Sequence, residues 1–256
     1  MHPTAKLHTF FQSESRNFMT RCPTCSHEND DFATVCGQCR GFLQNRVPNL
    51  NLFETSWGIL ESPRSTFRTI TLAEHKNYSL FLYCCLGMGI AFTVFSYGKF
   101  GVFFESLLDL IPWALGGGVV FGLVMAIPLS LSVHGIARIM GSRMKFRNSY
   151  AVIAYASVPI LLSLILVLPI ELMTFGMYLF TSNPHPAVIK PVSFYVLFGF
   201  DAAMGGWALF LAIVGTSVVH RFSFMKSLVP IACAVAILFG TLLMGVPFLR
   251  NLLQVE

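Results

Sequence analysis

Residues 107–168 read LLDLIPWALGGGVVFGLVMAIPLSLSVHGIARIMGSRMKFRNSYAVIAYASVPILLSLILVL. The stretch is an apolar span, a short basic loop and a second apolar span. The loop carries Arg138, Arg143, Lys145 and Arg147, with no acidic residue between His134 and Tyr150. Lys and Arg in short loops stay on the cytoplasmic side, because translocating them is costly. This loop is therefore expected inside the cell, and alternation then orients every other span.

Working outward, apolar spans fall at about 78–97, 107–133, 150–171, 192–219 and 228–249. Each reaches the ~20 residues that cross a ~30 Å hydrocarbon layer. Backbone groups in lipid must pair within their own segment, so the spans are helices. Composition agrees: 55% of the 256 residues are hydrophobic and 11% are charged, against roughly 25% charged in a soluble domain. Fourteen Lys and Arg fall on the loop's side and three (Lys99, Lys190, Arg250) on the other. That asymmetry predicts a cytoplasmic N-terminus and an external C-terminus. It also explains the net charge of +5 by topology and lipid headgroups, so nucleic acid is not an expected partner. Gly118 and Gly122 form a GxxxG, and Ala202 and Gly206 repeat the spacing, which predicts close helix contacts. Pro112, Pro128, Pro159, Pro169, Pro230 and Pro247 predict kinks. Cys84, Cys85 and Cys233 read as small apolar residues.

The N-terminal part differs in kind. Residues 1–18 show no period and are expected to be a disordered extension. Residues 19–44 hold Cys22-Pro-Thr-Cys25 and, ten residues on, Cys36-Gly-Gln-Cys39. Each CxxC brings two thiolates onto one ion, and four thiolates close a tetrahedral structural zinc site. So short a segment cannot bury a core, and bound Zn2+ would supply its folding energy. We expect a small β-hairpin with Glu28-Asn-Asp-Asp31 as its turn and Phe32 and Val35 as its apolar part. His27 reads as a solvated loop residue. Residues 45–77 are expected to be a linker followed by interfacial amphipathic helices. Phe53, Trp57 and Leu60 recur at helical spacing, Ser62-Pro63 reads as a helix start, and Phe67 and Ile70 share a face. Two destinations stay open for these helices: the headgroup layer, or the protein's own spans. The fold class is an all-α integral membrane protein with five transmembrane helices preceded by a β-hairpin zinc ribbon.

Ionisable groups inside a bilayer need a reason. Asp201 lies nine residues past Val192, ~13 Å of helix rise, near the midplane. It reads as a proton or cation site or as a satisfied packing hydrogen bond. Glu171, counted from Tyr150, falls at the outer interface. His134 and His220 end their spans on the cytoplasmic side, where they could flank one cavity. An intramembrane aspartyl protease would need a second acid beside Asp201, and HExxH and GxSxG motifs are absent from the sequence.

One further pattern points to a family. His134-Gly-Ile-Ala-Arg-Ile-Met-Gly141, then Phe146, then Tyr155-Ala-Ser-Val-Pro159, resembles the core of the Yip-type (Rab-interacting) five-span membrane domain. Ser62-Pro-Arg-Ser-Thr-Phe-Arg-Thr-Ile70 resembles the segment that leads into that domain. The resemblance covers about residues 55–249. Eukaryotic relatives work in vesicle trafficking through Rab GTPases. A zinc ribbon ahead of the domain is similar to bacterial members, which implies a bacterial inner membrane and a fold rather than an activity. The expected function is a non-enzymatic scaffold that organises membrane lipids or partners. Its protein partner is expected at the ribbon or the basic loop, with a second copy of the chain left open. The alternative is a small transporter or channel that uses Asp201.

Overall fold

The structure, a computed structural model, describes residues 19–30, 33, 35–43 and 50–253. The expectations for residues 1–18, for Asp31 and Phe32, and for most of the linker lie outside the described residues.

Asn51 opens the helical part. Its side chain accepts from Phe53 N (3.1 Å) and starts α1, Leu52–Glu61. Pro63 occupies the first turn of α2, Pro63–Leu72. Lys76 closes α2 by donating to the carbonyls of Ile70, Thr71 and Ala73. Partial burial, with the nearby Arg147 charge, pushes its ammonium pKa down to about 8. Of the two destinations, packing on the protein's own spans is the one observed, and one edge of the helix pair stays exposed. Ile59, Phe67 and Ile70 are buried among the spans, while Phe53 is 80% and Trp57 62% exposed. The helix pair thus packs on its own bundle and presents an aromatic edge outward, as interfacial Trp and Phe do.

Five helical runs are long and apolar enough to cross a membrane: Ser79–Tyr97, Leu107–Ile139, Phe146–Phe180, Pro191–His220 and Phe224–Asn251. The first is α3, Ser79–Tyr97, and the second is α4, Leu107–Ile139. The helix of the second span runs past Val133 into the basic loop, to Ile139. Nothing between Val133 and Met140 breaks a helix; Gly141, at φ +97°, does.

The third run begins earlier and ends later than 150–171. It is built from α5 (Phe146–Ala156), α6 (Val158–Leu162), a π-helical turn (Ser163–Val167), α7 (Leu168–Phe175) and a 3-10 turn (Gly176–Phe180). Its two prolines explain the breaks. Pro159 and Pro169 have no N–H to donate to the preceding turn. Before Pro169 the register widens, and Leu168 N donates to Ser163 O across five residues. A four-residue turn, α8 (Pro186–Ile189), leads into α9 (Pro191–His220), and α10 (Phe224–Leu253) follows.

The first two spans meet backbone to backbone. A Cβ on Gly118 would stand 2.6 Å from Met88 Cα, and one on Gly122 would overlap Tyr83 O. A Cβ on Gly87 of α3 would overlap Gly118 O in return. The GxxxG is therefore a contact with α3. The second small-residue pair is not used in this way: a Cβ on Gly206 would meet nothing within 4 Å. Above this contact Tyr83, fully buried, bonds Ser130 Oγ (2.6 Å) and Tyr150 O (3.2 Å), tying three spans at one point. One apolar cluster joins α1 and α2 to the spans around Leu129, Tyr155 and Leu211. A second, rich in Phe (Phe92, Phe95, Phe100, Phe175, Phe180), fills the opposite end.

Candidate functional sites

The hairpin has a different register from the one expected. Strands β1 (Met19–Arg21) and β2 (Glu28–Asp30) pair antiparallel, with Met19 opposite Asp30 and Arg21 opposite Glu28. The Cys22–Cys25 knuckle is thus the connection of the hairpin, and Glu28–Asp30 is a strand rather than the turn. The second knuckle is closed by a bridge between Val35 and Phe42. Stapling both knuckles to one ion fixes this arrangement more economically than a long loop between them would.

The four sulfurs of Cys22, Cys25, Cys36 and Cys39 lie within 4.8 Å of one another. Cys22 and Cys39 are 3.5 Å apart, and Cys25 and Cys36 3.6 Å. Sulfurs bound at ~2.3 Å around one tetrahedral ion stand about 3.8 Å apart, so the cluster has the dimensions of a four-thiolate metal site. Backbone and side-chain donors favour the thiolate at Cys22 and Cys36, while Cys25 is pushed up to about 12, with burial and the neighbouring cysteines raising it. Thr24 N donates to Cys22 Sγ (3.4 Å). Asn29, buried, donates to Cys36 Sγ (3.4 Å) and to His27 O (2.8 Å), and accepts from Gly37 N (2.9 Å). The N–H groups of Cys39 and Gln38, with Asn29, hold the Cys36 thiol down to about 6. Asn29 was not legible as a site residue, since Asn between acidic residues reads as a turn. His27 is exposed, and its imidazole is not part of the cluster.

The hairpin is not free of the bundle. Asp30 on β2 forms an ion pair with Arg221, in the turn between α9 and α10. The thiolate cluster therefore sits at the end of the bundle where α4 meets α5 and α9 meets α10.

That end also holds the two histidines. His220, 4% exposed, bonds Ser142 Oγ through Nδ1 (2.7 Å) and Ser149 Oγ through Nε2 (3.1 Å). Ser149 Oγ in turn bonds His134 Nδ1 (3.2 Å). The chain Ser142–His220–Ser149–His134 links α4, the basic loop, α5 and α9. Instead of flanking a cavity, the rings are bridged by one buried hydroxyl. Ser149 and Ser142 were missed; the only signal was a hydroxyl at the depth where two His end their spans. Of the basic loop, Arg147 donates to Glu74 O and braces α2, and Lys145 precedes α5. Arg138 and Arg143 line an open cavity considered below.

Asp201 lies elsewhere, about 28 Å of helix rise from His220 along α9. Its carboxyl accepts from Ser163 Oγ, in the π-helical turn, and the Glu171 carboxyl is near enough to interact with it. Tyr97, at the end of α3, is within electrostatic range of both. Glu171 is thus a partner of Asp201 rather than an isolated interfacial acid.

Fold and sites together define a class: an integral membrane protein with five apolar helices and, ahead of them, a hairpin whose four Cys can hold a metal ion. The family model for the Yip1 domain matches residues 57–246. The chain belongs to the Yip1 domain family. The match begins in α1 and ends in α10, so it takes in all five spans and leaves the hairpin outside. Comparison with curated proteins and with solved structures returned no match.

Proposed function

We propose that this Yip1-family protein is a non-enzymatic membrane adaptor whose metal hairpin, loaded with zinc, is its docking module. The observation that carries the reading is the exposed apolar pair on that hairpin. Val35 and Phe42 are bridged to each other, yet Phe42 is 78% exposed. An aromatic side chain held rigidly in water by a metal staple is a suitable anchor for a partner's pocket. The ion pair to Arg221 keeps that anchor near the ends of α9 and α10, within reach of a membrane partner. A photo-crosslinking residue in place of Phe42 should give a discrete protein adduct in cells, lost when Cys36→Ser removes the metal staple. An adduct that survives Cys36→Ser would sink the docking reading.

By sequence alternation fourteen of the 17 Lys and Arg fall on the basic loop's side of the spans, which supports a cytoplasmic N-terminus and an external C-terminus. In a bacterial host, alkaline phosphatase fused after Glu256 should be active. An inactive phosphatase fusion with an active reporter at the N-terminal side reverses the orientation.

The Glu171–Asp201 pair favours a second reading, a proton-coupled transporter. A shared proton beside Ser163 can be exchanged without moving a full charge through lipid. Asp201→Asn should then abolish pH-driven flux in proteoliposomes, and unchanged flux would dismiss the site. The second acid also meets the requirement named above for an acid protease. A peptide-cleavage assay on the same proteoliposomes separates that chemistry from transport.

A further inference from the structure

Where α4 ends, an open cavity of about 560 Å³ is lined by Arg138, Gly141, Ser142 and Arg143. We propose that this cavity is a binding site for the phosphate headgroup of an anionic membrane lipid.

Four features of the site carry this. First, its charge is unopposed. Arg138 and Arg143 are exposed and, among the described residues, neither forms an ion pair with a carboxylate. The negative end of the α4 dipole, worth about half a charge, is muted because its last carbonyls are already capped. Met140 N and Gly141 N donate to Ile136 O and Arg138 O (both 3.0 Å), and Ser142 N donates to Ala137 O (2.9 Å). Two guanidinium groups therefore dominate, and guanidinium is the group best matched to phosphate oxygens.

Second, the floor is bare backbone. Gly141 has φ +97°, and a Cβ built there would meet nothing within 4 Å. A ligand can therefore approach the chain closely between the two arginines.

Third, Ser142 supplies a donor. Its oxygen accepts from Met144 N (3.3 Å) and stands 2.7 Å from His220 Nδ1. When His220 carries its proton on Nδ1, that N–H donates to Ser142 Oγ. Both lone pairs of Ser142 are then used, and its O–H is left to donate to a ligand oxygen. Ser149 satisfies the other side of this tautomer by donating to His220 Nε2 while accepting from His134 Nδ1. In that tautomer the His–Ser chain leaves the Ser142 hydroxyl proton free for a ligand.

Fourth, an apolar flank marks the ligand as a lipid. Ile139, 82% exposed, follows Arg138 at the end of α4, and the partly exposed Phe146 opens α5 three residues after Arg143. An acyl chain can lie against them while the headgroup occupies the cavity. The volume is well above that of a bare phosphate and within the range of small-ligand sites, so a glycerol phosphate fits. This inference rests on the chain's being a membrane protein and is independent of the hairpin's role.

The test uses the full-length protein in uncharged detergent. Short-chain phosphatidic acid, phosphatidylcholine and inorganic phosphate are each titrated, with binding read by native mass spectrometry. Phosphatidic acid should bind, and phosphatidylcholine should not compete with it. Arg138→Gln with Arg143→Gln should weaken binding at least about tenfold, and Ser142→Ala about threefold. Lys145→Gln with Lys226→Gln removes the same charge from the same end and should leave binding within about twofold. Equal weakening in this control pair would overturn the site in favour of diffuse attraction. Unweakened binding by the double arginine variant, at unchanged melting temperature, would overturn it outright. Displacement of phosphatidic acid by millimolar inorganic phosphate would overturn the assignment to a lipid and make a soluble phosphate the ligand.

Discussion

Gly122→Ala is expected to lower the stability of the bundle by about 3 kcal/mol, the upper range for overpacking a close contact. The added methyl would overlap the Tyr83 carbonyl oxygen, and backbone cannot move aside as a side chain can. The spans must separate, which also loosens the Tyr83–Ser130–Tyr150 bonds just above. In lipid no hydrophobic drive exists to push helices back together, so close packing itself supplies the association. The apparent melting temperature in detergent should fall by about 6–12 °C. Gly206→Ala is the matched control, because a Cβ there meets nothing within 4 Å. A Gly122→Ala protein that melts with the wild type would show that the first two spans do not touch at this point.

Cys36→Ser is expected to have the other large effect, confined to the hairpin. Metal binding by small thiolate domains is folding free energy, on the order of 10 kcal/mol, and this hairpin has two three-residue strands and little else to hold it. Purified wild-type protein should carry about one zinc per chain, as four thiolate ligands require. The variant should carry below about a tenth of that and be cut by trypsin at Arg21 or Arg40. Replacing zinc by Co2+ in the wild type should give the visible absorption of a tetrahedral thiolate site. The five spans should stay in the membrane unchanged. Full zinc content in the variant would mean that Cys36 is not a ligand.

Much of the fold was legible because lipid makes the sequence speak in long words. A run of twenty apolar residues has one meaning in a bilayer, and paired CxxC knuckles have few. What escaped was everything that depends on where a helix stops turning regularly. That Glu171 comes near Asp201 is one case, because the run carrying Glu171 widens in a π turn before Pro169. The Ser163 hydroxyl beside Asp201 was invisible for the same reason. Phe53 and Trp57 showed a helical period, yet the buried residues of that helix are Thr55 and Ile59. Period alone does not say which face meets protein when both faces are apolar. Small-residue spacing predicted contacts at Gly118 and Gly206 equally, and only the first has a helix against it.

The pairing of Asp30 with Arg221 spans 191 positions of the chain, and this has a bearing on synthesis. At roughly 5–20 residues per second, Arg221 leaves the ribosome on the order of 10–40 s after Asp30. The hairpin's four Cys are therefore all available to an ion while most of the bundle does not yet exist. Its resting place becomes available only when the fourth span has been inserted and its last turn has emerged. Both partners remain about half exposed, so their attachment is weak and screened by salt. A nascent chain that has inserted four spans without metal would present Arg221 with an unfolded strand, and the final docking step would report on both halves at once.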